Sequence, residues 1–366
     1  MKYSVDNSQG TPAYLQLYRQ LRDDIVSGAY PMGAKLPSKR LLADEVGVST
    51  VTVEHALALL GDEGYVEARE RSGYYVIFRS DAGFALAKEA PLIKNTAATE
   101  ARGGADFPFS VLARTMRGVI SEYGERILRR SPNSGSEELR EAICSYLARS
   151  RGISALADQI IIGSGSEYLY GLTVGLLGRD RVYAIESPSY KKIEQIYAAS
   201  GAKYRMLPLG RDGIESRALW ESDADVLHIS PYRSFPSGVT ASASKRHEYL
   251  RWATRGDRFI IEDDFESEFS LSKKPEETLF SYRDDRVIYL NSFSMTVSPA
   301  IRVGYMVLPK GLREDFFEKL GFYSCTVPTF EQLVLAELIA NGDFERHINR
   351  VRRKKRKSSE SEDNGD

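Results

Sequence analysis

The chain has 366 residues, more than one hydrophobic core ordinarily fills, so two or more domains are expected. Its formal net charge is -1 with 28% charged residues, so no global excess of either sign advertises nucleic acid or membrane, and any such partner must be met locally. Cys144 and Cys325 stand far apart with no CxxC or clustered His, which argues against a disulfide framework or a metal site and for two buried thiols; no apolar run reaches the roughly 18 to 20 residues of a membrane span, and the start MKYSVDNSQGTP lacks the order of a secretion signal, so a cytoplasmic protein is expected.

Residues 12–27 place Leu17, Leu21 and Ile25 at four-residue intervals with Tyr14 and Tyr18 on the same stripe, which predicts an amphipathic helix ended by Gly28. Ser38 then precedes KRLLADEVGV, where Leu41, Leu42 and Val46 repeat at helical spacing and Gly47 closes the helix. Ser49 caps a third helix carrying Val53, Leu57 and Leu60, and EARERSGYYVIF supplies two short strands turning at Arg71, Ser72 and Gly73. Three helices followed by a hairpin make a winged helix-turn-helix over residues 11–79. Residues 80–104, rich in Ala, Gly, Thr and charge without a period, read as a linker.

A different architecture follows over residues 105–352. Apolar runs at 181–187, 204–209, 224–230, 258–265, 286–293 and 301–308 alternate with helical stretches, which indicates an α/β layer with a largely parallel sheet. The end, RRKKRKSSESEDNGD, is a basic block passing into an acidic serine-rich stretch that could bury no core, so 353–366 is expected to be a disordered tail.

LPSKRLLADEVGVSTVTVEHALALLGDEGYV with RSGYYV resembles the DNA-binding domain of the GntR family of bacterial transcription regulators. In such a module the residues at the start of the third helix, Ser49, Thr50 and Thr52, face base edges, while Lys39, Arg40, Arg69 and Arg71 reach phosphates. Arginines often stand in the family where this chain has Thr50 and Glu54, so its sequence preference does not transfer.

IIGSGSEYLYGLTVGLL joins an apolar strand to an apolar helix through a Gly-Ser turn, whose free N–H groups and hydroxyls suit a phosphate; alone, such a turn is more often a bare connection. ESPSY offers Tyr190 after a strand, IEDDFESEF puts Asp263 at a strand end, and NSFSMTVSPAIRVGY brings Ser292, Ser294 and Arg302. Together and in this order the segments resemble the fold-type I aminotransferase domain of pyridoxal-phosphate enzymes, joined to a GntR-type winged helix as in the MocR subfamily. The resemblance implies a phosphate cradle of Ser164, Gly165, Ser166, Ser292, Ser294 and Arg302, with Tyr190 stacked on the pyridine ring and Asp263 paired with the ring nitrogen, raising its pKa.

Departures from the family's pattern bear on chemistry. The Schiff-base lysine falls on Met295, which has no nitrogen to condense with an aldehyde. Phe265 replaces a tyrosine that bonds the cofactor's phenolic oxygen, and Arg233-Ser234 replaces a His-Gln pair. Relatives continue about a hundred residues further into a small subdomain with the substrate-binding arginine, so the chain reads as truncated there. The expected function is a transcription regulator, a homodimer on double-stranded DNA, whose aminotransferase-like module is inactive, senses a small-molecule effector and holds pyridoxal 5'-phosphate non-covalently if at all. The alternatives are an active aminotransferase with an accessory DNA-binding domain, for which Lys191 or Lys192 would have to serve as base, and a decaying gene product with a marginal second module.

Overall fold

Apolar spacing decides the first fold unit. The computed structural model describes residues 3–6, 11–70, 72–79, 107–264, 267–270 and 277–363, the side chains of 358–363 excepted, and the chain divides into two units, 1–98 and 99–366. Helix α1, Ala13–Val26, buries Leu17, Tyr18, Leu21 and Ile25. Helix α2, Lys39–Val46, begins where Ser38 Oγ accepts from Leu41 N at 3.2 Å and ends at Gly47, whose φ of 72° favours a residue without Cβ. Helix α3, Thr50–Asp62, begins where Ser49 Oγ accepts from Thr52 N at 3.1 Å. Strands β1, Val66–Arg69, and β2, Gly73–Val76, pair antiparallel from Val66 opposite Val76 to Arg69 opposite Gly73.

Leu41 departs from the expected stripe. It is 57% exposed while Leu42 is fully buried, because adjacent residues on a helix point about 100° apart and only one can face the core. The linker expected at 80–104, and Arg71 and Phe265, lie outside the described residues.

In the larger unit, α4 (Phe109–Tyr123) and α5 (Glu137–Arg151) precede β3 (Ile160–Gly163). Then come α6 (Ser166–Leu177), β4 (Val182–Ser187), α7 (Lys191–Ala199), β5 (Lys203–Gly210), β6 (Gly213–Ile214), α8 (Ser216–Glu221) and β7 (Val226–Ile229). The chain continues through α9 (Ala243–Ala253), β8 (Phe259–Asp263), α10 (Leu279–Tyr282), β9 (Val287–Ser292), β10 (Gly304–Val307), α11 (Arg313–Leu320), α12 (Thr329–Ala340) and α13 (Asp343–Asp363). The strands form one sheet in the order β3-β10-β9-β8-β7-β4-β5-β6. Strands β5, β4, β7, β8 and β9 run parallel, β10 runs antiparallel between β3 and β9, and β6 pairs antiparallel at the edge. The sheet is therefore mostly parallel and covered on both faces, as continuous apolar strands require. One core gathers Leu169, Tyr197, Ile261 and Ile288; the other gathers Ile143, Leu147, Ile260, Tyr289 and Leu338. Cys144 and Cys325 are free and only partly buried, against the expectation of full burial, because both sit at the margin of the second core.

Of the segment 353–366, expected to be a disordered tail, residues 353–363 continue helix α13 to Asp363, and 364–366 lie outside the described residues. Two residues of the helix's basic block reach inward, Arg352 Nε donating to the Glu268 carbonyl at 2.6 Å and the Lys355 ammonium lying 5.0 Å from the centre of the Phe269 ring, while residues 353–357 are exposed.

Strand β8 ends in Glu262 and Asp263, followed by Asp264, and the pleat sends them to alternate faces. Glu262 accepts from the Tyr232 hydroxyl and from the N–H groups of Leu279 at 2.8 Å and Phe280 at 2.9 Å. Asp264 pairs with Arg151 at 2.6 Å and accepts from the Tyr289 hydroxyl at 2.5 Å, with both members of the ion pair buried. The Arg151 guanidinium also lies 4.6 Å from the centre of the Tyr232 ring. Nearby, Asn291 Nδ2 donates to Glu268 at 2.7 Å. On β4, Glu186 accepts from Ser234 Oγ at 2.6 Å and Ser230 N at 3.3 Å.

Removing one partner of a buried ion pair strands the other, so Arg151→Met is expected to cost about 3 to 5 kcal/mol in urea unfolding, and adding Asp264→Leu to recover part of it. An additive double variant would show that the pair is not coupled. Burial pushes Glu186, Glu262 and Glu268 up to about 7 each. Their folded-state values lie above the ordinary 4.5, so the stability they contribute is complete below that pH and is lost as pH rises through about 7. Urea midpoints measured from pH 5 to 8 should show this loss, and Glu186→Gln should make it shallower; an unchanged slope in that variant counts against the assignment.

Candidate functional site

The smaller unit presents the start of α3. Thr50 is exposed at its first position, and Thr52, half-buried, shares a 2.9 Å hydrogen bond with Ser49 Oγ, so the Ser49 hydroxyl is committed to capping. Lys39 on α2 forms an ion pair with Glu54 on α3, which holds the Lys39 ammonium above its ordinary pKa. That pairing accounts for an acidic residue on a face expected to meet phosphates. Arg40 is exposed, and Arg69 on β1 lies 3.5 Å from Glu67 and 4.4 Å from the centre of the Tyr75 ring. Val51, which sequence reasoning passed over, is 71% exposed at the second position of α3.

In the larger unit, the turn between β3 and α6 is shaped by close packing. Gly165 has φ of 90°, and a Cβ there would meet the Arg302 guanidinium at 3.1 Å. A Cβ on Gly304 of β10 would meet the Gly165 backbone at 3.2 Å, so two glycines let Arg302 come to the start of α6. Ser166 opens α6, and Ser164 N donates to Thr326 Oγ1 at 3.1 Å. Among the loop serines, Ser292 is half-buried at the end of β9, whereas Ser294 Oγ donates to the Ile301 carbonyl at 3.1 Å and closes its own loop. Met295 lies half-buried in that same turn.

Glu167, the second residue of α6, was not anticipated and changes the electrostatics. Its Oε1 accepts from Lys192 Nζ at 2.5 Å and from the Tyr190 hydroxyl at 3.4 Å, and its Oε2 lies 3.6 Å from Arg302. The Lys192 hydrogen bond holds the Glu167 carboxyl below its ordinary range and raises the Lys192 ammonium. Tyr190 is partly exposed at the start of α7, with its ring edge-on to Phe235 at 6.2 Å.

Asp263 is only 7% exposed. It accepts from the Tyr170 hydroxyl, one turn along α6 from Ser166. Burial, then the charge of Asp263, pushes the Tyr170 phenol well above its ordinary pKa, so it stays a donor. His228 Nε2 lies 3.6 Å from the same carboxylate, while Nδ1 shares a 2.6 Å hydrogen bond with the Tyr197 hydroxyl. The structure thus brings Gly165, Arg302 and Tyr190 together around Glu167, with Asp263 set among Tyr170 and His228. The spacing of SEYLY, with Tyr170 four residues after Ser166, was the one sequence signal for this partner.

Comparison with known proteins gives this arrangement its family. Residues 13–76 match the bacterial regulatory proteins of the gntR family, and residues 106–360 match aminotransferase class I and II. The chain is 33% identical over 357 residues to the HTH-type transcriptional regulator YdeL of Bacillus subtilis, covering 94% of this chain and 77% of that protein. It is 27% identical over 377 residues to the probable rhizopine catabolism regulatory protein MocR of Rhizobium meliloti, covering 95% and 76%. It is also 27% identical over 345 residues to the pyridoxine biosynthesis transcriptional regulator PdxR of Corynebacterium glutamicum, covering 92% and 75%. Among solved structures, kynurenine aminotransferase of Pyrococcus horikoshii superposes with a TM-score of 0.62 at 27% identity, over 69% of this chain and 65% of that one. The α-aminoadipate aminotransferase LysN of Thermus thermophilus, solved with a phosphopyridoxyl-leucine adduct, gives 0.60 at 26% identity over the same shares. The chain therefore spans about two thirds of the length of these aminotransferases. No helix among the described residues is long and apolar enough to cross a membrane. The chain belongs to the GntR-family transcription regulators of the MocR subfamily, in which a DNA-binding helix-turn-helix is joined to an aminotransferase class I and II domain.

Proposed function

We propose that the larger unit binds a ligand without turning over amino acids, and that the protein is a cytoplasmic homodimer whose grip on double-stranded DNA answers to a small-molecule effector. The observation that carries the first part is Met295, placed in the turn that also holds Ser292 and Ser294 and leads to Arg302. A thioether offers neither nucleophile nor base. Lys192, the neighbouring amine, is ion-paired with Glu167 and kept protonated, which disfavours it in either role. Support for a second copy comes from α4, where Phe109, Met116 and Ile120 expose apolar side chains at helical spacing.

Pyridoxal phosphate is the ligand the residues fit best. The positive-φ turn at Gly165 lets the Arg302 guanidinium reach the start of α6, and a buried carboxylate, Asp263, faces a His228 Nε2 with no hydrogen-bond partner among the described residues. Asp263 would hold a protonated ring nitrogen, Tyr190 would cover the ring, and Ser164, Ser166, Ser292 and Arg302 would receive the phosphate once Glu167 yields Arg302. Ser294 would contribute through the shape of its loop. When bound, the cofactor supplies an aldehyde and an electron-withdrawing ring. The chain's own residues bind and orient it, with no amine at 295 to hold it covalently.

Treatment with pyridoxal phosphate and then borohydride should leave no single-site lysine adduct by peptide mass mapping; one stoichiometric adduct would restore the aminotransferase reading. Glu167→Gln removes the carboxylate that competes for Arg302 and Lys192, so it should bind pyridoxal phosphate about tenfold more tightly while leaving unphosphorylated pyridoxal unchanged. Equal gains for both ligands in an absorbance titration would contradict a phosphate cradle at this turn. For the smaller unit, Arg40→Ala should weaken binding to unrelated duplexes alike and reduce the salt slope by about one. A change confined to one sequence would remove Arg40 from the phosphate contacts.

A further inference from the structure

Helix α3 carries no Arg, Lys, Asn or Gln anywhere between Thr50 and Asp62. Those are the side chains that grip guanine or adenine edges bidentately, so base reading by this helix must use other chemistry. Its remaining polar groups are largely committed. The Ser49 and Thr52 hydroxyls bond each other, Glu54 is paired with Lys39, and the His55 ring stacks on Tyr14 with centroids 4.0 Å apart and planes inclined by 14°. What faces outward at the helix start is Thr50, with one methyl, and Val51, 71% exposed.

Among the described residues, nothing in the smaller unit calls for Val51 there. A β-branched side chain in solvent on the first turn adds nothing to the core and is a modest helix former. The start of such a helix is the part that meets base edges in the major groove. There the C5-methyl of thymine is the one apolar group a base pair displays. We propose that Val51, flanked by Thr50, is the specificity-determining residue of the DNA-binding unit and recognises thymine methyl groups in the major groove. Phosphate contacts by Arg40 and Arg69 set the register, and the methyl contact selects the sequence.

Replacing thymine by uracil removes the C5-methyl and leaves Watson–Crick pairing intact. The full chain is used to enrich duplexes from a random-sequence pool, and the best-bound duplex is resynthesised with deoxyuridine at each thymine in turn. The wild type is expected to lose about three- to fivefold in affinity at one or two thymines per half-site, the ratio expected for withdrawing one methyl contact. Val51→Ala, whose single methyl reaches less far, should shrink the thymine-to-uracil ratio towards one with an unchanged salt slope, because phosphate contacts are untouched. Val51→Gln should shift the preference at the same position to adenine. The proposal is overturned if no uracil weakens the wild type by more than about twofold, if Val51→Ala keeps the discrimination, or if no duplex is enriched.

Discussion

Three acidic residues in succession at the end of β8 are the constraint around which the larger unit is arranged. Glu262, Asp263 and Asp264 could not share one face without strong repulsion, and the pleat separates them. The outer two are then satisfied from the helical side that holds α5 and α10. Arg151 ends α5 beneath Asp264, Tyr289 reaches across from β9, and the first N–H groups of α10 close on Glu262. Asp263 alone is left to the opposite face, at the carboxyl end of a parallel strand, where crevices in such sheets take ligands. Its direction is thus set by partners on the other face of the sheet.

Much of this was legible in the sequence, for identifiable reasons. In the smaller unit Leu17, Leu21 and Ile25 form one stripe, and Ser38 and Ser49 mark the helix starts, because capping and periodicity are local properties. The strands β4, β5, β7, β8 and β9 announced themselves as apolar runs. The reversed direction of β10 did not, since it depends on pairing with β3 more than a hundred residues earlier. Helix α12 was equally silent: Gln332 through Ala336 are all buried, so it has no polar face to give contrast. The helical continuation of α13 was missed because composition alone could not show that Arg352 and Lys355 find Glu268 and Phe269.

The candidate site was legible in outline and not in its charge. Gly165, Tyr190 and Arg302 gather around Glu167 while Asp263 sits with Tyr170 and His228, and neither Glu167 nor His228 carries a sequence signature. Their roles arise from where α6 and β7 are set by the sheet. On the DNA-binding face, likewise, the near-zero net charge concealed how cations are used. Lys39 is paired with Glu54, so part of its electrostatic attraction is already spent within the fold.

The carboxylate in the cradle has a consequence for which anions the crevice admits. Being tethered, Glu167 is a rival that dilution never removes, present beside Arg302 and Lys192 at an effective concentration on the order of millimolar or above. A small free anion such as inorganic phosphate would gain only those same cations and so would have to compete with Glu167 for both. A ligand of the kind proposed, which would also cover Tyr190 and engage Asp263, would draw on contacts the rival cannot match, so on that reading the site favours molecules that carry a ring as well as a phosphate.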